Sequence, residues 1–112
     1  MALHSNLPIY KVAYELLQLV TKLVKDMPRD AKVSMGSKLR DECISMVVMI
    51  FRANVARNKT EHLLNVIEHV LVAELILRLS KDMHFIPHGG YAQAILLTDS
   101  IGKQANGWKN AK

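Results

Sequence analysis

ISMVVMIFRANVARNKTEHLLNV, residues 44–66, contains the end of one apolar segment, a basic joint and the start of another. Within it, residues 46–51 (MVVMIF) are six consecutive apolar side chains. An α-helix completes a turn in about 3.6 residues, so on a helix these six cover every side of the cylinder. A helix that is apolar all round is buried on more than one face. In a four-helix monomer each helix keeps one face in water, so the segment predicts a subunit interface. The competing reading is a central helix wrapped by long neighbours.

The cations that follow are Arg52, Arg57 and Lys59, with no acid until Glu61. Helix two is expected to run to Arg57, so the helix dipole accounts for Arg57 and Lys59, because cations are favoured near a helix C-terminus. Arg52 lies more than a turn further in. An arginine beside an apolar segment must pair with an acid, extend to solvent or wait for a partner. Asn58-Lys-Thr-Glu61 has the N-x-x-E spacing of a capping box and predicts the start of helix three.

Working outward, helix one starts at Asn6 as N-cap, with Pro8 in the first turn where its missing N–H costs nothing. Ile9, Val12, Ala13, Leu16, Val20, Leu23, Val24 and Met27 recur at three- and four-residue spacing and form its core stripe. Pro28 ends it. Helix two opens between Asp30 and Ser37, where Gly36 and two serines blur the start. Helix three is apolar through Leu79; between Val70 and Leu79 its only charges are Glu74 and Arg78, spaced for an intrahelical ion pair. HFIPHGGY (84–91) reads as a turn in which Pro87 and Gly89-Gly90 separate two helices. Helix four presents Tyr91, Ile95, Thr98, Ile101, Ala105 and Trp108 along one side. Gly102 and Gly107 weaken it, and a basic tail from about residue 109 is expected to fray. Residues 1–112 are therefore expected to form a single all-α domain, an antiparallel up-down-up-down four-helix bundle.

Composition points to assembly. A chain of 112 residues hides only about two-thirds of its unfolded surface, yet 50% of this one is hydrophobic and only 5% aromatic. Oligomerisation buries the excess. The formal net charge of +5 is uneven: residues 1–59 hold ten Lys/Arg against five Asp/Glu, and residues 60–112 hold five of each. Such an excess suits a polyanion such as RNA or DNA, although solubility alone also favours a net charge of this size.

Enzyme signatures are missing. The sequence has no E-x-x-H pair for a di-iron bundle site, no H-E-x-x-H and no glycine-rich phosphate loop. His62 and His69 share a helix face but have no third ligand in the pattern, so neither a metal nor another cofactor is expected. Cys43, the only cysteine, reads as a small core residue, and the absence of disulfides fits a reducing cytoplasm. The N-terminal residues lack a signal-peptide pattern, and no apolar run is long enough to span a membrane.

Four stretches carry a family resemblance: LPIYKVAYEL, GSKLRDECISMVVMIFRANVAR, VAELILRLSKDMHFI and IGKQANGWKN. Together they resemble the four-helix-bundle proteins encoded in bacterial ribosomal-RNA intervening sequences. Within that family the chain is most similar to the accessory variability determinants of diversity-generating retroelements. Many relatives end helix two in a pattern like NIAEG, where this chain has the basic NVARN. The resemblance implies a homopentameric barrel that binds the element's reverse transcriptase and its template RNA. It further implies a protein that is not itself a catalyst and that supports mutagenic synthesis of complementary DNA. The residues expected to meet nucleic acid or the reverse transcriptase are Lys22, Lys25, Arg29, Lys32, Arg52, Arg57, Lys59 and Arg78. With few aromatics to stack on bases, contact should run through backbone charge and be weakly sequence-specific. The alternative is a protein-only helical assembly module whose cations serve solubility.

Overall fold

A computed structural model describes residues 3–111. After a 3-10 turn at His4–Asn6, α1 spans Pro8–Lys25. Next come a short α-helical turn, α2 (Arg29–Ala31), a π-helical stretch Lys32–Gly36, and α3 (Ser37–Val55). Ala31, Lys32, Gly36 and Ser37 all keep right-handed helical angles, so Arg29 to Val55 form one rod. The other two rods are α4 (Thr60–Asp82) and α5 (His88–Asn110). There is no strand among the described residues.

Each rod packs against two others: α1 against α3 and α5, and α4 against α3 and α5. Consecutive rods are thus neighbours joined by short connections, as four antiparallel helices around one core require. The principal extents are 44 × 21 × 19 Å. Leu16 and Val20 of α1, Leu39, Met46 and Ile50 of α3, Leu63, Val66 and Leu77 of α4, and Ile101 of α5 are fully buried together. Each of the four long helices contributes at three- and four-residue spacing, in line with the stripes predicted for the first and the last.

The helix ends differ from the expectations in five places. Asn6 is not the N-cap: it belongs to the 3-10 turn, and extended Leu7 caps α1, with Pro8 at the first helical position. Helix two ends at Val55, two residues before Arg57, because Ala56 is extended. Asn58 accepts a hydrogen bond from the Thr60 N–H at 3.0 Å, so the side chain caps the start of α4 one residue short of the capping-box geometry. Gly89 and Gly90 lie inside the first turn of α5, not in the connection. The helix also continues to Asn110, past the position where fraying was expected.

The turn before α5 is closed by other means. The His84 N–H donates to the Lys81 carbonyl and the Phe85 N–H to the Ser80 carbonyl, at 3.0 and 2.8 Å. This is a Schellman motif, and its left-handed position (φ 62°) is filled by His84 where glycine is usual. Gly90 instead serves packing: a Cβ there would stand 2.5 Å from a methyl of Leu23 on α1.

Candidate nucleic-acid interface

The antiparallel order sorts the eight predicted cations to opposite ends of the bundle. Lys22 and Lys25 occupy the last turn of α1, Arg29 opens α2, and Lys32 starts the π-helical stretch. All four are exposed at the α1–α2 end. None makes an ion pair among the described residues, although Asp26 and Asp30 are close in sequence. Arg78, near the C-terminus of α4, lies towards the same end. Arg52, Arg57 and Lys59 belong to the other end, around the α3–α4 connection.

Two of the eight have explanations in the fold that the sequence did not supply. The Lys59 ammonium donates to the carbonyls of Ala53, Asn54 and Ala56 at 2.8, 3.4 and 2.9 Å. It also stands over the Trp108 ring, 5.6 Å from the centroid. The last carbonyls of a helix have no intrahelical partner, and Lys59 reaches back to satisfy those of α3. Arg78 pairs with Asp82 at 3.5 Å, not with Glu74 as the sequence suggested. Glu74 is taken by the Thr98 hydroxyl of α5, which donates to it at 2.8 Å. Arg57 is exposed and lines a groove of about 470 Å³ with Asn58, Lys59, Thr60, Trp108 and Lys109. Trp108 and Lys109 were not among the predicted site residues. The topology was the available signal, since an up-down-up-down order returns the end of the fourth helix beside the second connection.

Arg52 stands out. It is exposed on α3 and makes no hydrogen bond or ion pair among the described residues. Ile44, Val48, Phe51 and Val55 beside it are also exposed, directly opposite the core side of the helix. The all-round apolar character of residues 46–51 therefore divides into Met46 and Ile50 inside, and Val48 and Phe51 outside. Phe51 is partly covered by an edge-on contact with His4, at 4.9 Å between ring centroids.

A polar cluster around the buried Glu42 joins α3 to α4. The carboxylate of Glu42 hydrogen-bonds the Nδ1 of His69 and takes an ion pair from Lys38 at 3.3 Å. A carboxylate this buried is tolerated only when partnered. The sequence reading left His69 without a carboxylate because the partner comes from another helix. Cys43 beside it is fully buried. Burial, and secondarily the Glu42 carboxylate, push its thiol up to about 12. A thiol held in the neutral form is a poor nucleophile. Among the described residues no three His, Cys, Asp or Glu side chains are grouped so as to hold a metal ion, and no helix is long and apolar enough to cross a membrane.

A family model described as bAvd-like matches residues 7–112, from the cap of α1 through the basic tail. The chain belongs to the bAvd-like family. Among curated proteins no significant match is found. Membership agrees with the resemblance carried by the helix-two and GWKN segments. The match runs across all four rods and includes the basic NVARN joint.

Proposed function

We propose that this chain is a non-catalytic accessory protein of a diversity-generating retroelement. It works as a homopentamer that binds the element's reverse transcriptase and nucleic acid, the template RNA and its complementary DNA, through a basic oligomer surface. The observation that carries the reading is the α1–α2 end, where Lys22, Lys25, Arg29 and Lys32 are exposed without ion-pair partners in a chain of the bAvd-like family. Cations already neutralised by carboxylates release few counterions from a polyanion; unpaired ones give the full electrostatic gain. Five copies at +5 each carry a formal charge near +25. Arg57, in its groove with Lys109, is a second point of contact. Lys59 and Arg78 are secondary, because the first is held by α3 carbonyls and the second by Asp82.

The deciding experiment is a salt titration of binding to labelled single-stranded RNA. Affinity is expected to fall steeply with salt, and the slope to shrink when Lys22, Lys25, Arg29 and Lys32 are together changed to Gln. Binding that ignores salt, or none at low salt, overturns the nucleic-acid part. The exposed apolar side chains of α3 and α4 favour a second reading, a protein-only assembly module. Co-purification of the reverse transcriptase that survives nuclease treatment, with no RNA affinity, selects that one.

A further inference from the structure

Two apolar stripes face outward on adjacent helices. On α3 the stripe is Ile44, Val48, Phe51 and Val55; on α4 it is Leu64, Leu71, Leu75 and Leu79, with Leu71 and Leu75 exposed by 61% and 67%. Each contains or borders a charge that has no ion-pair partner among the described residues. On α3 that charge is Arg52, and on α4 it is Glu68, between Leu64 and Leu71. The two signs are opposite.

The two patterns are also alike in length and order. Read towards its N-terminus, α3 presents Val55, Arg52, Val48 and Ile44; read towards its C-terminus, α4 presents Leu64, Glu68, Leu71 and Leu75. Both sets cover twelve residues, about 16 Å of helix from first to last, and in both the charge is the second member, three residues from Val55 on α3 and four from Leu64 on α4. Helices α3 and α4 run antiparallel within one chain. Two copies standing the same way up therefore bring α3 of one antiparallel to α4 of the other, the direction in which the two patterns coincide.

We infer that the outer face of α3 in one copy packs against the outer face of α4 in a second copy, with Arg52 ion-paired to Glu68 of that copy. The inference rests on the self-assembly proposed above and names the surfaces that carry it. Apolar side chains flanking the pair exclude water, which strengthens its charge interaction and makes partner choice sensitive to it. The two patches differ, so the contact is heterologous: an open assembly keeps one free α3 face and one free α4 face at its two ends until a ring closes. This assigns Arg52 to assembly and leaves the α1–α2 cations free for nucleic acid.

The test is charge reversal read by sedimentation velocity across a concentration series, with circular dichroism confirming helicity. R52E and E68R are each expected to weaken self-association roughly 100-fold, since both residues are exposed in the single chain and neither substitution disturbs its core. The double variant R52E/E68R should recover assembly, and an equimolar mixture of the two single variants should recover association between unlike copies but not a closed ring of five, in which strict alternation leaves one like-charge contact. Single variants that assemble like the parent overturn this inference alone. Dissociation of both without recovery in the double variant also overturns it, because the two residues then act on different contacts. A parent chain that stays monomeric, or that assembles only with reverse transcriptase present, overturns the inference together with the self-assembly on which it rests.

Discussion

The ammonium of Lys59 lies 2.8 Å from the carbonyl oxygen of Ala53, six residues back across the α3–α4 connection. One side chain therefore ties off the end of α3 and stands over the face of Trp108 on α5. Hydrogen bonds from a charged donor contribute more than neutral ones, and contact with an indole adds to them. Lys59→Met keeps the aliphatic stem and loses the ammonium. It is expected to lower stability by about 1–2 kcal/mol, read as a lower urea midpoint at unchanged slope. An unchanged midpoint means that water serves these carbonyls equally well.

Gly36 is a point of close approach between the first two rods at the basic end. A Cβ there would stand 2.8 Å from Val24 Cγ1 and 3.1 Å from Met27 Sδ. Because Val24 is β-branched, its methyl has little room to turn away. Gly36→Ala gains about 1 kcal/mol of helix propensity and meets overpacking that costs about 1–3 kcal/mol, so net destabilisation is expected. Val24→Ala should relieve it, giving a double variant less destabilised than the two single effects added. Additive losses would show that the two rods separate freely at this point.

His84 occupies a left-handed position that glycine fills at no steric cost. The side chain is exposed and its backbone N–H, not the imidazole, closes the Schellman motif. His84→Gly is therefore expected to raise stability by about 0.5–1 kcal/mol and to leave assembly and RNA affinity unchanged. A loss of stability would mean that the imidazole contributes a contact worth more than the backbone strain.

The core of the first and fourth helices was legible in the sequence because burial leaves a period: Ile9, Leu16, Val20 and Ile101 are each where the spacing put them. Helix ends were legible only in part. Capping is a competition among neighbouring residues, and the reach of Lys59 or the extended angle at Ala56 is decided in three dimensions. Polar partners between helices were not legible at all. Glu74 sits at the spacing for Arg78, yet the Thr98 hydroxyl lies across the α4–α5 contact and takes it. Glu42 and His69, twenty-seven residues apart, meet for the same reason. For the candidate interface, the residue types were readable from charge, but the sorting of cations to two ends follows from topology.

Cys43 gives the clearest dependence on pH. Its ordinary value of 9.0 is raised to about 12 in the fold, first by burial and then by the Glu42 carboxylate. The form that the fold favours is the neutral thiol, so unfolding lets the group ionise once the pH exceeds 9.0. The stability contributed by this difference is present in full below 9.0 and is lost as the pH rises towards about 12. Cys43→Ala lacks the titration and leaves a small cavity, so near pH 7 it should be less stable than the parent by about 1 kcal/mol. Urea unfolding of both proteins at several pH values up to 10.5 should show that gap narrowing as the parent alone loses the thiol contribution. Other titrating groups are common to the pair and cancel. A gap that stays constant to pH 10.5 would mean that the thiol ionises as readily inside the bundle as outside it. In the folded protein near pH 7, the same neutral thiol should react with a disulfide reagent no faster than the core opens, whereas a fast reaction would expose it as an accessible nucleophile.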